Sequence, residues 1–257
     1  MTIVTNRFSD RVDNYVKYRP HYPEEVIGFL LSEKILFPGA VIADIGSGTG
    51  ISSELFLKNN YKVYGIEPNE PMRHAAETLL KSYSGKGLFV SVNAAAGHTA
   101  LENASVDVIV CAQAFHWFNN EEFKKECKRI LKQNGYVVLM WNDRRTDTTD
   151  FLKVYEDFLQ MFAIDYKQVN HKNTQDASVF ENFFGKGNYN EKSFYNFQDV
   201  DLEGLKGRVL SSSYMPNQGH QDFDHMMYCL KKIYNRYQEE NKVRLDYDTK
   251  LYYGRMQ

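Results

Sequence analysis

The stretch Ala43-Asp44-Ile45-Gly46-Ser47-Gly48-Thr49-Gly50 concentrates the residue types that could do chemistry. It follows the apolar run Val41-Ile42-Ala43 and precedes a helix-forming segment over residues 51–60. A strand, a glycine turn and a helix in that order make a nucleotide-binding corner. Glycine has no Cβ, so the backbone can turn tightly and lie against a ligand. The helix behind the turn presents free N–H groups at its N-terminus. The spacing is G-x-G-x-G, with Asp44 two positions before Gly46. Dinucleotide-binding dehydrogenases use G-x-G-x-x-G, so the spacing disfavours an NAD-dependent oxidoreductase. The next strand-like run, Val63-Tyr64-Gly65-Ile66-Glu67, ends in a carboxylate 23 residues after Asp44. An acid at that tip can accept hydrogen bonds from both hydroxyls of a ribose. Either feature alone is compatible with plain loop chemistry; the two together, at this offset, favour a ligand site.

The elements that must position these groups alternate along the chain. Residues 24–36 read as a helix, with Pro23 at its start and Pro38-Gly39 past its end. Strand 41–44, helix 51–60, strand 62–67 and helix 71–82 follow, then strands 88–93 and 106–111. The last of these is apolar throughout, as a buried parallel strand should be. Residues 121–132 form a helix with Asn120 as N-cap and Asn134-Gly135 as its stop. Strand 136–141 completes the alternation, which implies a parallel sheet with right-handed crossovers. Beyond Asn142 the rhythm changes. Phe151, Tyr155, Phe158, Leu159 and Phe162 mark an amphipathic helix, and 223–237 marks another. Residues 193–198 and 243–253 are strand-like. Segments 143–190 and 200–220 read as insertions before and between the last two strands. The expected division is one domain, 1–257. It comprises an N-terminal lid and helix over 1–36, a ligand-binding core over 37–142, and cap insertions with the last two strands over 143–257.

The chain has 257 residues, enough for one large α/β domain or a domain with a cap. A formal charge of −2 gives no electrostatic case for nucleic acid or an anionic membrane. No apolar run approaches the roughly 20 residues needed to span a bilayer. The stretch from Met1 to Asp10 is polar and lacks a signal-peptide core. Cys111, Cys127 and Cys229 are scattered and odd in number, so no metal is expected, and a reducing, cytoplasmic setting is. With 18 Tyr and 17 Phe, many outside the expected strands, an aromatic-lined pocket or cap is expected.

The G-x-G-x-G turn with its preceding acid resembles motif I of the class I S-adenosylmethionine-dependent methyltransferases. Four further stretches are similar to a subgroup that includes the trans-aconitate methyltransferases and their yeast relatives. They are Phe8-Ser9-Asp10-Arg11-Val12-Asp13-Asn14-Tyr15-Val16-Lys17-Tyr18-Arg19-Pro20-His21-Tyr22-Pro23, Cys111-Ala112-Gln113-Ala114-Phe115-His116-Trp117-Phe118, Leu210-Ser211-Ser212-Ser213-Tyr214-Met215-Pro216, and Tyr247 to Arg255. The resemblance implies a Rossmann-like seven-stranded α/β sheet, parallel except for an antiparallel last strand. Helices would cover both faces, under a mostly helical cap. It implies S-adenosylmethionine as cofactor, S-adenosylhomocysteine as product, and Asp44, Gly46, Ser47, Gly48, Gly50 and Glu67 as cofactor ligands. Pro68 and Asn69 would pack on the adenine. The family often places an acid after the third strand to meet the adenine amino group. Asn93-Ala94-Ala95-Ala96-Gly97 has none, which leaves the backbone of Ala94 and Ala95 for that task.

Residues 113–117 would lie beyond the carboxyl end of the fourth strand, where open α/β sheets bind ligands. Gln113 could hydrogen-bond the methionyl part. Phe115 and Trp117 could face the sulfonium, or pack as helix-end core. His116 could act as a general base or only shape the pocket. Tyr15, Tyr18, Arg19 and Tyr22 read either as packing or as a lid. As a lid, Arg19 would pair with a methionyl or substrate carboxylate and Tyr15 would cover the methyl group. Arg144, Arg145, Arg208 and Tyr214 are candidates for holding the acceptor. The expected function is methyl transfer to a small molecule, with a carboxylic acid as one acceptor class. The alternatives are a quinone precursor or other hydroxylated ring, and a non-catalytic S-adenosylmethionine-binding protein. A monomer or a homodimer fits equally.

Overall fold

The structure is a computed structural model and describes residues 11–165 and 176–256. The stretch from Met1 to Asp10 lies outside the described residues. In chain order the elements are α1 Val12–Tyr18, α2 Glu25–Ser32, β1 Val41–Ile45, α3 Ile51–Lys58, β2 Lys62–Ile66, α4 Glu70–Leu79, α5 Lys81–Ser84, β3 Phe89–Val92 and β4 Val106–Ala112. A single 3-10 turn, Phe115–Trp117, leads to α6 Glu121–Ile130, β5 Leu131–Arg144, α7 Asp150–Phe162, α8 Ala177–Phe184, β6 Tyr189–Val200, α9 Leu202–Leu210, α10 Phe223–Tyr237 and β7 Val243–Gly254.

The seven strands form one sheet in the order β3-β2-β1-β4-β5-β7-β6. β7 is antiparallel to both neighbours, and the other pairings are parallel. This is the expected sheet. The order reverses between β1 and β4, and the carboxyl ends of those two strands open the crevice where such sheets bind ligands.

Two apolar layers cover the sheet. On one face Val26, Leu30, Phe56 and Leu57 from α2 and α3 pack against Ile42, Val63 and Val108. On the other, Phe123, Cys127 and Ile130 from α6 and Phe180, Phe183 and Phe184 from α8 pack against Ile109, Leu139 and Trp141. A third cluster forms the cap. It joins α7, α9 and α10 to Val243, Leu245 and Tyr247 of β7. The strand register explains where the cap sits. β7 runs against β5, so Gly254 pairs with Val137 while Tyr247 pairs with Arg144. The first half of β7 therefore projects to the carboxyl ends of the parallel strands and carries the cap above the crevice.

Several expected boundaries shift for local reasons. The helix expected over 121–132 ends at Ile130, because Leu131 is already extended and pairs with Val106. The pairing then jumps to Val108 with Tyr136. The residues between form a bulge with Asn134 at φ 69°, so Asn134-Gly135 turns within the strand and does not stop the helix. The helix expected over 24–36 closes at Ser32, and Lys34 turns left-handed at φ 58°. Within the insertions, α8 and α9 each bury a face that sequence periodicity left unassigned.

Candidate active site

At the end of β1 the chain turns through Gly46 at φ 71° and Gly48 at φ 55°. These left-handed conformations suit glycine and strain any residue with a Cβ. The two positions differ in surroundings. A Cβ on Gly46 would lie 2.7 Å from Ala114 Cβ and 3.0 Å from the Phe118 ring, so protein packing alone excludes it. A Cβ on Gly48 would meet only Met72 Cε, at 3.5 Å, so the backbone there faces room for a ligand. The amides of Gly46 and Ser47 donate to Ile66 O at 2.9 and 3.2 Å, which locks the turn to β2.

Two carboxylates frame the turn. Glu67 Oε2 accepts from Gly48 N at 2.9 Å and Oε1 from Asn69 N at 2.8 Å. Burial raises the Glu67 pKa, the two amides work against that shift, and the charge of Asp44 adds to it. Asp44 is fully buried. Its Oδ2 accepts from the Ser52 and Ser53 hydroxyls on the first turn of α3, each at 2.7 Å. Its Oδ1 is buried and accepts from no described group. Burial pushes the Asp44 carboxyl up to about 6, and the serine hydroxyls only partly oppose it. The buried Thr49 hydroxyl also has no partner among the described residues. Buried polar atoms are almost always paired, so these two, beside an open glycine backbone, make this corner the candidate ligand site.

Other expected residues take fixed positions around this corner. Asn69 caps α4 by accepting from Met72 N at 2.9 Å, and Pro68 is exposed beside it. The Ala95 carbonyl accepts from His98 N at 3.0 Å, while Ala94 is half-buried against the sheet. Glu126 on α6 ties down this loop: it accepts from Thr99 N at 2.7 Å and Thr99 Oγ1 at 2.5 Å. Burial would raise the Glu126 pKa, but the Arg129 and Thr99 donors outweigh burial and hold it at about 2. Gln113 adopts φ 56°, and its Nε2 donates to Asn142 O at 3.2 Å. His116 and Trp117 follow it, half-buried, with ring centroids 4.6 Å apart.

Phe115 corrects an expectation. It is 0% exposed, with its ring 4.8 Å from Phe183 and 6.2 Å from Phe123 and Trp141. A single helical turn points consecutive side chains different ways, and Phe115 is the one that enters the core. It offers no face to an acceptor. Arg145 is likewise spent elsewhere. It pairs with Asp248 at 2.7 Å and lies over the Tyr195 ring.

For the N-terminal segment, read either as packing or as a lid, the contacts are those of packing. Arg11 is buried and donates to three carbonyls at and past the end of α9: Leu210 at 3.1 Å, Ser212 at 2.6 Å and Met215 at 2.8 Å. Tyr18 packs where Gly207 lacks a side chain; a Cβ there would overlap its ring. Tyr22 is buried in the core beside Val26. Asn142 Nδ2 donates to Pro20 O and His21 O, and Asn196 Nδ2 to His21 O. The aromatics in this segment are therefore used in packing, as a strap between cap and sheet.

The strap brings Arg19 to the cap. Its Nη2 donates to Ser211 O at 2.8 Å, its guanidinium lies 4.7 Å from the Tyr15 ring centre, and its Nε is buried without a described partner. Burial lowers the Arg19 pKa, and the charge of Arg208 lowers it further. Both guanidiniums reach Ser211, Arg19 at its carbonyl and Arg208 at its hydroxyl, so they are neighbours. Arg208 donates from Nε to the Tyr247 hydroxyl at 3.3 Å. Arg144 lies over the Tyr155 ring and ion-pairs with Glu156. Ser211, Ser212 and Tyr247 lie in stretches that carried the resemblance without a role of their own, and Tyr155 was read only as part of an amphipathic helix. These segments are far apart in the chain, and no spacing links them.

Comparison with known proteins agrees with this geometry. Residues 43–139 match the family described as a methyltransferase domain. An uncharacterised methyltransferase-like protein of Schizosaccharomyces pombe is 31% identical over 162 residues, covering 62% of this chain and 59% of that protein. An uncharacterised methyltransferase of Mycobacterium bovis is 30% identical over 139 residues, 53% of this chain and 52% of the relative. The matches thus span little more than half of these relatives' lengths. Among solved structures, a proposed type II methyltransferase from Anaeromyxobacter dehalogenans superposes with a TM-score of 0.68 at 18% identity, over 93% of this chain and 98% of its own. An S-adenosylmethionine-dependent methyltransferase from Thiobacillus denitrificans, solved with S-adenosylhomocysteine, gives 0.54 at 15% identity, over 99% of both chains. Residues 43–139 are thus similar to a methyltransferase domain, and the whole chain shares the fold of solved methyltransferases. The matched stretch, 43–139, holds Asp44, the glycine turn, Glu67 and the 113–117 loop.

Proposed function

We propose that this protein transfers the methyl group of S-adenosylmethionine to a small-molecule acceptor, a carboxylic acid in the reading that the subgroup resemblance favours. The observation that carries the reading is the pair of carboxylates around an open glycine backbone. Glu67 is fixed by two amides at the tip of β2, and Asp44 has a buried oxygen without a donor. Glu67 would accept the ribose hydroxyls, Asp44 would face the methionyl ammonium, and Arg19 would meet the methionyl carboxylate. The cofactor supplies an electrophilic methyl group. The protein's share is alignment and exclusion of water, and proximity and orientation are worth up to about 7–11 kcal/mol. A carboxylate acceptor is already ionised at neutral pH, so His116 would shape the pocket and need not remove a proton.

Calorimetric titration with S-adenosylhomocysteine, S-adenosylmethionine and NAD tests the cofactor. The first two should bind and NAD should not; no heat with either sulfur compound refutes the reading. A methyl-transfer screen against carboxylic acids, phenols and amines then tests the acceptor, and turnover confined to phenols would replace the carboxylic acid.

A further inference from the structure

Arg144 and Arg145 each have a carboxylate against them, Glu156 and Asp248. Arg19 and Arg208 have none: among the described residues no Asp or Glu forms an ion pair with either. Two neighbouring guanidiniums without a counter-charge repel, and burying them costs free energy unless something anionic joins them.

The surroundings of Arg208 point to what is missing. It lies in the last turn of α9. Its Nε donates to Tyr247 Oη at 3.3 Å and its Nη1 to Ser211 Oγ and Ser212 Oγ at 3.4 and 3.3 Å, which are long bonds for a charged donor. Its Nη2 donates to no described group. Tyr247 Oη donates to Gln198 Oε1 at 3.1 Å, so its lone pairs turn toward the guanidinium and fix its plane. Arg208 is half-buried although packed among the tyrosines Tyr155, Tyr214 and Tyr247, so part of its surface stays within reach of a ligand. A held plane with a free edge is the geometry that receives an oxyanion side-on.

We propose that Arg208, held by Tyr247, Ser211 and Ser212, is the specificity residue for the acceptor and binds an oxyanion group of it at the cap. The proposal rests on the methyltransferase reading for the identity of the ligand as acceptor. The two guanidiniums divide the work. Arg19, on the strap, serves the cofactor, and Arg208, on α9, serves the acceptor.

The test uses the full chain, with malonate as the anionic probe, malonamide as its neutral match and inorganic phosphate as the alternative anion. Binding is measured by calorimetry in the presence and absence of saturating S-adenosylhomocysteine. Malonate should bind the wild type and malonamide should not. Arg208→Met should weaken malonate by about tenfold or more while changing S-adenosylhomocysteine affinity less than twofold. Arg208→Lys should restore only part of the loss, because an ammonium lacks the planar fork. Tyr247→Phe keeps the charge and the fold, and should weaken malonate by a smaller factor. Phosphate binding tighter than malonate would assign a phosphorylated acceptor to the same site. Equal binding of malonate and malonamide, or malonate affinity unchanged in Arg208→Met, overturns the proposal. Malonate binding without any S-adenosylhomocysteine binding would sink the methyltransferase reading and leave the anion site standing.

Discussion

Asp44, Gly48 and Glu67 come from two adjacent strands and one turn, whereas Arg19, Tyr155, Arg208 and Tyr247 come from the strap, α7, α9 and β7. The first group works mainly through backbone geometry and fixed carboxylates. Its partners are near in sequence and set by strand register: Asp44 pairs with Gly65, and the turn amides bond to Ile66 O. The second group works through side chains that meet only after the cap has folded on the extended end of β7. A ligand held by backbone and fixed carboxylates suits the first design. A ligand chosen by side chains suits the second, because loops and insertions change more freely than a strand end. The comparison makes claims that can be broken, beginning with the glycines.

The same added atom should have opposite consequences at Gly46 and Gly48. At Gly46 an alanine Cβ meets Ala114 and Phe118 at 2.7 and 3.0 Å on top of a positive φ. Gly46→Ala should therefore cost about 3 kcal/mol or more and lower the thermal midpoint sharply. At Gly48 the nearest atom is at 3.5 Å, so Gly48→Ala should cost only about 1–2 kcal/mol of backbone strain. It should still lose S-adenosylhomocysteine, measured by calorimetry on the folded protein. Equal thermal loss in both variants would show that Gly48 is also a packing position.

The cap depends on the strap in a way the corner does not. Arg11→Met removes a buried cation from three carbonyls and should destabilise by about 1.5–3 kcal/mol. Hydrogen exchange should accelerate over residues 12–18 and 202–215 and stay unchanged over β1 and β2. Acceleration spread evenly over the sheet would mean that the two regions unfold as one unit.

Glu67→Ala isolates the corner's ligand role. Two ribose hydroxyls would lose a charged acceptor, so S-adenosylhomocysteine affinity should fall by about 1.5–3 kcal/mol, with malonate binding to the cap unaffected. An unchanged dissociation constant would remove Glu67 from the site.

What could be read in the sequence follows the same division. Motif I, Glu67 and the strand alternation survive in sequence because β-register and glycine turns are local devices. The sheet order and antiparallel β7 came with the resemblance those motifs support. Phe115 was ambiguous because a single 3-10 turn has no period to show which of Phe115, His116 and Trp117 faces inward. The strap aromatics had no visible packing partner, since the space for Tyr18 is an absent side chain at Gly207, nearly two hundred residues away. Arginines 144, 145 and 208 look alike in the sequence. Only the fold shows that Glu156 and Asp248 neutralise the first two and leave the third.

The smallest expected effect is a pH dependence. The Asp44 carboxyl is raised by burial to about 6, above the ordinary value of roughly 3.9. The folded protein therefore binds more protons than the unfolded chain between about pH 4 and 6. Asp44's contribution to stability is fully present below pH 4 and is lost as pH rises through 6. A ligand ammonium facing Oδ1 reverses the preference, because it needs the ionised form. S-adenosylhomocysteine should then bind about tenfold more tightly at pH 7 than at pH 5 and level off above. Glu67 is raised in the same direction and lies close enough to couple, with Arg73 and the Gly48 and Asn69 amides opposing it. The Ser52 and Ser53 hydroxyls hold the other Asp44 oxygen and do not titrate in this range. Asp44→Asn should remove most of the inflection, and Glu67→Gln only a minor part. A flat profile in the wild type, or an inflection that survives Asp44→Asn and disappears in Glu67→Gln, would move the ammonium contact from β1 to β2.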